Sequence, residues 1–216
     1  MIQGIFLDFD GVIMDSMGLK LESYCYALAE FDFDRDSIQR IQLEYTGESR
    51  NKVLQRMHQQ ITGREPDDET LAELVQRFGQ HDDDSRALME PLPGAVEFLE
   101  AVHRSHYLAL VTGTPQFAID ATMDHHNLGK YFQDVCGSPR EKTEILQTLR
   151  RTHKLQASEC IMVGDGKTDQ RAADANAMRF VGMACDGASF EPSSAWMVVT
   201  SLPELLPVIQ DECSRD

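Results

Sequence analysis

Two pairs of aspartates follow apolar segments of the chain, and carboxylates in such a pattern suit the chemistry of a phosphate ester. Asp8 and Asp10 end an apolar run near the start, and Asp165 and Asp169 follow another at residues 160–164. Four carboxylates brought to one place would repel one another unless a cation lay between them. An all-oxygen set of ligands suits a hard divalent ion, above all Mg²⁺, held together with substrate phosphate.

The elements that would bring these aspartates together are short, nearly wholly apolar strands that alternate with helices. Such strands are typical of a parallel sheet buried on both faces. Open parallel sheets bind ligands at the carboxyl ends of their strands, where the sequence also places Thr112, Gly113 and Thr114. We predict strands at residues 4–9, 108–112, 134–137, 160–164 and 180–183, and helices at 94–104, 115–126, 141–151 and 169–177.

An all-helical pattern separates the first strand from the others. No strand is predicted between residues 16 and 89, and the break at Pro91-Leu92-Pro93-Gly94 ends this region. The predicted fold class is therefore α/β, a Rossmann-like parallel sheet core with an inserted all-helical domain. We place the core at residues 1–15 and 90–216 and the insertion at residues 16–89.

The composition argues against a nucleic-acid-binding protein and against a membrane protein. The 216 residues include 20 basic and 36 acidic side chains, for a formal net charge of −16, whereas binding to DNA or RNA usually needs a basic surface. No apolar stretch approaches the ~20 residues of a membrane span. The first residues do not resemble a signal peptide, and the five cysteines form no C-x-x-C pair. We therefore expect a cytoplasmic protein with free thiols.

Four short motifs occur in order along the chain: Asp8-Phe9-Asp10-Gly11-Val12, Val111-Thr112-Gly113-Thr114, Lys142, and Gly164-Asp165-Gly166-Lys167-Thr168-Asp169. In order and spacing they resemble the four motifs of the haloacid dehalogenase-like (HAD) hydrolase superfamily. The resemblance spans nearly the whole chain, and it implies the HAD fold with the helical insertion as a C1-type cap. The stretch before Lys142 departs from the K-P-x-P form that is more usual in this subgroup.

The resemblance implies phosphoryl transfer by two aspartates. Asp8 would attack phosphorus and form an aspartyl-phosphate, while Asp10 would protonate the leaving alcohol and later deprotonate water. We expect partial burial and neighbouring carboxylates to raise the pKa of Asp10 above its reference value of about 3.9. Thr112 and the Gly113 amide would donate hydrogen bonds to phosphate oxygens, and Lys142 would balance the charge of nucleophile and phosphate.

The same resemblance implies a Mg²⁺ site. The Asp8 side chain, the Asp10 backbone carbonyl and the Asp165 side chain would hold the ion. Asp169 would be either a further ligand or, in the reading we prefer, a residue that orients the metal's water molecules.

The inserted cap must select the substrate, because the core contacts only phosphate and metal. The loop Gly47-Glu48-Ser49-Arg50 resembles one in the β-phosphoglucomutase branch, which implies that Arg50 contacts the far end of the substrate; the alternative is an exposed arginine at a helix start. Lys20, which stands where the mutases have a histidine, is a second candidate to face the site from the first cap helix.

Two other polar segments receive structural roles. We interpret Asp15 and Ser16 as a hinge and a helix N-cap, with a capping function only. We expect the acidic runs at residues 67–69 and 82–84 to be solvated turns or helix ends.

Together these features favour a Mg²⁺-dependent phosphatase that hydrolyses a small phosphomonoester, in the branch that contains phosphoglycolate phosphatases. A sugar phosphomutase like β-phosphoglucomutase is the alternative, and a non-catalytic metabolite-binding or regulatory protein is the alternative of another class. The expected partner is a small phosphorylated metabolite, with no nucleic acid and no membrane, and the chain is expected to be a monomer.

Overall fold

A sheet of parallel strands forms the centre of the molecule. We describe a computed structural model, which covers residues 1–85 and 88–213. Within these residues, the sheet consists of the strands β1 (Gly4–Leu7), β4 (Tyr107–Pro115), β5 (Asp134–Ser138), β6 (Cys160–Gly164), β7 (Arg179–Met183) and β8 (Met197–Val199). These six strands pair in the order β5-β4-β1-β6-β7-β8, and every pairing is parallel.

The position of β1 between β4 and β6 determines which strand ends are neighbours. Leu7 aligns with Leu110 of β4 on one side and with Val163 of β6 on the other. The residues that follow these three positions therefore emerge side by side at one edge of the sheet. The strands that follow β1 in the chain are added first on one side of it, as β4 and β5, and then on the other side, as β6 to β8. Open α/β sheets bind ligands at such a point.

Hydrophobic clusters cover both faces of the sheet, as the apolar composition of the strands predicts. Successive side chains of β1 alternate between the two clusters, with Ile5 and Leu7 in one and Phe6 in the other. Helices α5 (Ala95–Val102), α6 (Gln116–His125) and α9 (Leu206–Cys213) contribute to the first cluster, and α7 (Lys142–Thr152) and α8 (Lys167–Ala175) to the second. The predicted α/β class is thus confirmed.

The insertion consists of helices that enclose a hydrophobic cluster of their own. Leu54, Met57 and Phe78 are among its fully buried members. The chain enters and leaves this region through a short antiparallel pair, β2 (Met14–Asp15) and β3 (Glu90–Pro91). The cap helices are α1 (Met17–Ala27), α2 (Arg35–Glu44), α3 (Arg50–Thr62) and α4 (Asp68–Ser85).

The separate cluster supports the proposed division into a core at residues 1–15 and 90–216 and a cap at 16–89. Residues 86–87, inside the proposed cap, and residues 214–216, at the end of the proposed core, lie outside the part that the structure describes. The division stays a proposal, and it gives the cap a hydrophobic interior that is independent of the sheet.

Several short elements of the proposed core were not predicted. Besides the pair β2 and β3, these are strand β8, which extends the sheet beyond β7, and helix α9, which contributes Ile209 to the core. Strand β8 is three residues long, which is too short for a recognisable hydrophobic period.

The cap cluster gives the first prediction. Replacing Leu54 by alanine should lower the free energy of unfolding by about 2–5 kcal/mol, because a fully buried side chain would leave a cavity. The matched control is Leu88→Ala, since Leu88 is 69% exposed, and it should cost less than about 0.5 kcal/mol. Urea unfolding measures both, and equal losses would contradict an independent cap core.

Candidate active site

Polar residues meet where β1, β4 and β6 reach the edge of the sheet. Asp8 directly follows β1, Asp165 directly follows β6, and Thr112 and Gly113 lie in the last part of β4. Asp8, Asp165 and Thr112 are all at least 98% buried. The structure therefore brings together the strand-end residues that the sequence predicted for this edge.

One ammonium group links two of the buried carboxylates. Lys142, the first residue of α7, donates to Asp8 Oδ2 at 2.7 Å and to Asp169 Oδ1 at 2.6 Å. Burial alone would lower the pKa of Lys142, but the charges of Asp169 and Asp8 and their hydrogen bonds raise it above its usual range. Lys142 is therefore charged, and it neutralises part of the site.

The carboxylates of Asp8, Asp165 and Asp169 form a cluster with room for a cation. One oxygen of each lies within 4.8 Å of one oxygen of the other two. Burial, and then the charges of Asp8 and Asp169, raise the pKa of Asp165 well above its usual range. Its buried Oδ1 accepts no hydrogen bond from the residues that the structure describes. An unpartnered buried oxygen in an all-oxygen cluster fits a hard divalent ion such as Mg²⁺.

Asp169 has less capacity for direct ligation, because protein donors already occupy both of its oxygens. Oδ1 accepts from Lys142, and Oδ2 accepts from the backbone amide of Gly166 at 3.1 Å. Burial and the Asp8 charge raise the pKa of Asp169 to about 7, against the opposing effect of Lys142. This arrangement favours the preferred interpretation of Asp169 as a residue that orients metal-bound water.

Asp10 lies at the mouth of the same site, where three side chains donate to its carboxylate. Ser16 donates to Oδ1, Thr114 donates to Oδ2 at 3.1 Å, and the ammonium of Lys20 forms an ion pair with Oδ2. Burial raises the pKa of Asp10, but the charge of Lys20 and these hydrogen bonds outweigh it and hold the pKa below its usual range. The expectation of a raised pKa was wrong, because it left out a cation supplied by the cap.

A cavity separates the cap from this edge of the sheet. Asp8, Asp10, Thr112, Gly113 and Asp165 line it from the core. Met17, Lys20, Tyr24, Gln42, Tyr45, Thr46, Gly47, Glu48, Arg50, Val53 and Phe78 line it from the cap.

The cap loop lies directly over the strand that carries the predicted phosphate site. A side chain at Gly113 would place its Cβ 3.0 Å from the backbone oxygens of Gly47 and Glu48. Glycine at position 113 therefore permits the loop to approach the β4 backbone closely. On the far side of this loop, Lys52 of the cap pairs with Glu141 of the core at 2.8 Å.

Both predicted cap residues face the cavity, but their surroundings differ from the expectation. Arg50 is not an exposed arginine at a helix start: it is 94% buried and donates to Asp82 Oδ2 at 2.7 Å. Asp82 is itself buried, so the expectation of a solvated acidic run at 82–84 was wrong at this position. Asp82 lies four residues after Phe78 on the buried face of α4, and this helical spacing is the signal that could have found it.

Two donors to Asp10 were missed in the sequence. The Ser16 side chain makes no capping hydrogen bond to α1, so the interpretation of Ser16 as a cap only was wrong. Thr114 lies in the second motif, but only Thr112 and Gly113 were assigned roles there. The position of Thr114 at a strand end was the available signal.

The comparisons with known proteins agree with this geometry. The family model of haloacid dehalogenase-like hydrolases matches residues 5–183. The chain is 29% identical to a phosphoglycolate phosphatase from Vibrio parahaemolyticus, over 96% of each chain, and 25% identical to one from Photobacterium profundum, over 98% of this chain and 97% of that one.

Solved structures show the same fold at lower identity. A haloacid dehalogenase-like hydrolase from Streptococcus pneumoniae superposes with a TM-score of 0.77 at 18% identity, over 97% of this chain and 99% of that one. CbbY from Rhodobacter sphaeroides, solved in complex with phosphate, has a TM-score of 0.78 at 17% identity, over 95% and 97% of the two chains.

The chain belongs to the haloacid dehalogenase-like hydrolase family, because the family model covers most of its length. Within that family it resembles phosphoglycolate phosphatases at modest identity. The predicted class of enzyme, a hydrolase of this family that resembles phosphoglycolate phosphatases, is confirmed. In the described part of the chain, no helix is both long and apolar enough to cross a membrane.

The crowded carboxylates predict a metal-dependent stability. Saturating Mg²⁺ should raise the Tm, because an ion that binds only the native state increases the free energy of unfolding. At a hundredfold excess over the Kd the increase is roughly 2.7 kcal/mol. For a protein of this size, ~1 kcal/mol corresponds to a change in Tm of about 2–4 °C. Asp165→Asn should abolish this shift and leave the metal-free Tm equal to or above that of the parent, because the amide cannot ionise beside Asp8 and Asp169.

Differential scanning fluorimetry with Mg²⁺ and with EDTA measures these shifts. Asp124→Asn is the matched control, since Asp124 is an exposed aspartate of α6, and it should keep the full Mg²⁺ shift. An unchanged shift in Asp165→Asn would place the ion elsewhere.

Proposed function

We propose that this protein is a Mg²⁺-dependent phosphatase that hydrolyses a small phosphomonoester through a covalent intermediate on Asp8. The observation that carries the proposal is the position of Asp8, whose carboxylate lines the cavity between cap and core, accepts a hydrogen bond from Lys142 and lies beside Thr112 and Gly113. Membership in a hydrolase family and the likeness to phosphoglycolate phosphatases support it.

Asp8 is the proposed nucleophile. One carboxylate oxygen forms a bond to phosphorus while the bond from phosphorus to the leaving oxygen breaks, which gives an aspartyl-phosphate and an alcohol. Water then attacks the phosphorus, inorganic phosphate leaves, and the Asp8 carboxylate is restored. The amide of Phe9 donates to Asp8 Oδ1 at 2.7 Å and Lys142 donates to Oδ2, so the carboxylate is held in one orientation.

Asp10 is the proposed general acid and base. It gives a proton to the leaving oxygen in the first step and takes one from water in the second. The structure favours its carboxylate form through Lys20, which is the form that the second step requires. The negative charge of a bound phosphate raises the pKa of a nearby carboxyl, and this favours the protonated form for the first step.

Three groups are proposed to hold the phosphate. The Thr112 hydroxyl oxygen accepts from the Thr114 amide at 3.2 Å, so its own hydrogen is directed toward another acceptor. The Gly113 amide supplies a second donor at the same strand end. Lys142 offsets the charge that Asp8 and the phosphate bring together, and this is worth most in a water-poor site.

The proposed Mg²⁺ would be held by Asp8, the backbone carbonyl of Asp10 and Asp165, with Asp169 orienting its water molecules. When bound, the ion would neutralise negative charge on the phosphate oxygens. The chain's own contribution is the buried oxygen of Asp165, which accepts no hydrogen bond from the described residues.

The cap is proposed to choose the leaving group, with Arg50 and Lys20 as its charged contacts. Because the cap lies over the site, we expect a small metabolite as the substrate and not a folded phosphoprotein. The predicted cytoplasmic location and monomeric state stay predictions.

The mechanism predicts a loss of activity in two variants. Asp8→Asn should abolish phosphate release, because an amide is a poor nucleophile, and Asp10→Asn should lower kcat by about 10²–10⁴-fold. Asp124→Asn is the control and should keep full activity. Release from p-nitrophenyl phosphate and a panel of small phosphomonoesters, with Mg²⁺ and with EDTA, measures this.

Full activity in Asp8→Asn would refute the covalent mechanism. Conversion of a sugar 1-phosphate to its 6-phosphate without net phosphate release would instead identify a mutase. Tight binding of one metabolite without turnover across the panel would favour a non-catalytic role.

A further inference from the structure

The charged side chains on the cap side of the cavity already have partners of opposite charge. Lys20 pairs with Asp10, and Arg50 pairs with Asp82. Glu48 pairs with Lys52 at 3.4 Å. Among the residues that the structure describes, the wall that faces the leaving group therefore carries compensated charges.

The Arg50–Asp82 pair is the most deeply buried of these. Their side chains are only 6% and 7% exposed, and the guanidinium nitrogen lies 2.7 Å from the carboxylate oxygen. The guanidinium carbon stands 4.3 Å from the centre of the Phe78 ring, so a second residue of α4 contacts the same side chain. Asp82 is a buried residue in the last turn of α4, so its carboxylate is built into this wall together with Arg50.

This pair makes an anionic leaving group unfavourable. A second carboxylate or phosphate near Arg50 would have to lose its water and would meet the negative charge of Asp82 behind the guanidinium. A hydroxyl group accepts a hydrogen bond from the remaining N–H groups of Arg50 without that repulsion. Tyr24 and Val53 line the same region and add aromatic and apolar surface.

We propose that the cavity selects phosphomonoesters whose leaving alcohol is uncharged and carries a hydroxyl group, and that Asp82, acting through Arg50, excludes a second anionic group. The inference rests on the proposed function, because it concerns the leaving group of the same reaction. Asp82 is in this sense a specificity-determining residue that discriminates by repulsion.

Two matched probes test this selection. In 2-hydroxyethyl phosphate a CH₂OH group replaces the carboxylate of 2-phosphoglycolate, so the two differ mainly in the charge at the far end. Calorimetric titration into the Asp8→Asn variant with Mg²⁺ measures binding without turnover. The hydroxyethyl ester should bind at least about tenfold more tightly.

Adding Asp82→Asn should remove or reverse this preference, because the amide keeps the shape of the side chain and loses its charge. Adding Asp84→Asn is the matched control, since Asp84 is an exposed aspartate of the same helix, and the preference should persist. Equal or tighter binding of 2-phosphoglycolate to Asp8→Asn would overturn the proposal, and so would the failure of both esters to bind.

The comparison of the two esters in Asp8→Asn decides the matter even if the Asp82→Asn variant does not fold. The failure of the proposed function would give a different result. Full phosphate release by Asp8→Asn would refute the phosphatase mechanism, whereas the selection proposed here is judged only by the binding preference between the two esters.

Discussion

The rest of the structure depends on one electrostatic constraint, the burial of three carboxylates around one ammonium group. Asp8, Asp165 and Asp169 approach one another within 4.8 Å, and Lys142 contacts two of them. Such a cluster is costly in a protein interior, since each charge loses its water and meets like charges. It persists because the sheet, with apolar clusters on both faces, fixes the strand ends from which Asp8 and Asp165 project. The burial of apolar side chains in the fold thus offsets the unfavourable free energy of the buried carboxylates in the site.

The cap supplies a positive charge next to Asp10 of the core. Lys20 of α1 brings a positive charge to Asp10, and it is this contact that lowers the pKa of the Asp10 carboxyl. The proposed acid and base therefore has its protonation state set by a residue from the inserted region. A cap that moved away from the core would withdraw Lys20, so cap position and the chemistry of Asp10 are physically coupled.

Sequence reasoning found the core of the site because its residues are fixed by local rules. Asp8 and Asp165 end apolar strands, and parallel strands bring their ends together whatever the loops do. The surroundings of Arg50 and Asp10 could not be found in this way. They depend on contacts between α3 and α4 and between α1 and the core, at separations of 32 and 10 residues, which tertiary packing decides. The short strand β8 was missed for the related reason that only its pairing with β7 defines it.

Buried ion pairs are poor evidence for stability, and this bears on why Arg50 is paired at all. An apolar pair of similar volume would fill the space between α3 and α4 at least as favourably. What the ion pair adds is a hydrogen-bond donor at the cavity wall, Arg50, whose positive charge is neutralised by Asp82. An unpaired arginine would attract any small anion, including the free phosphate that the proposed reaction releases. Asp82 removes that attraction and leaves Arg50 its other hydrogen-bond donors. The wall therefore distinguishes hydroxyl groups from anions by electrostatic repulsion and not by steric exclusion.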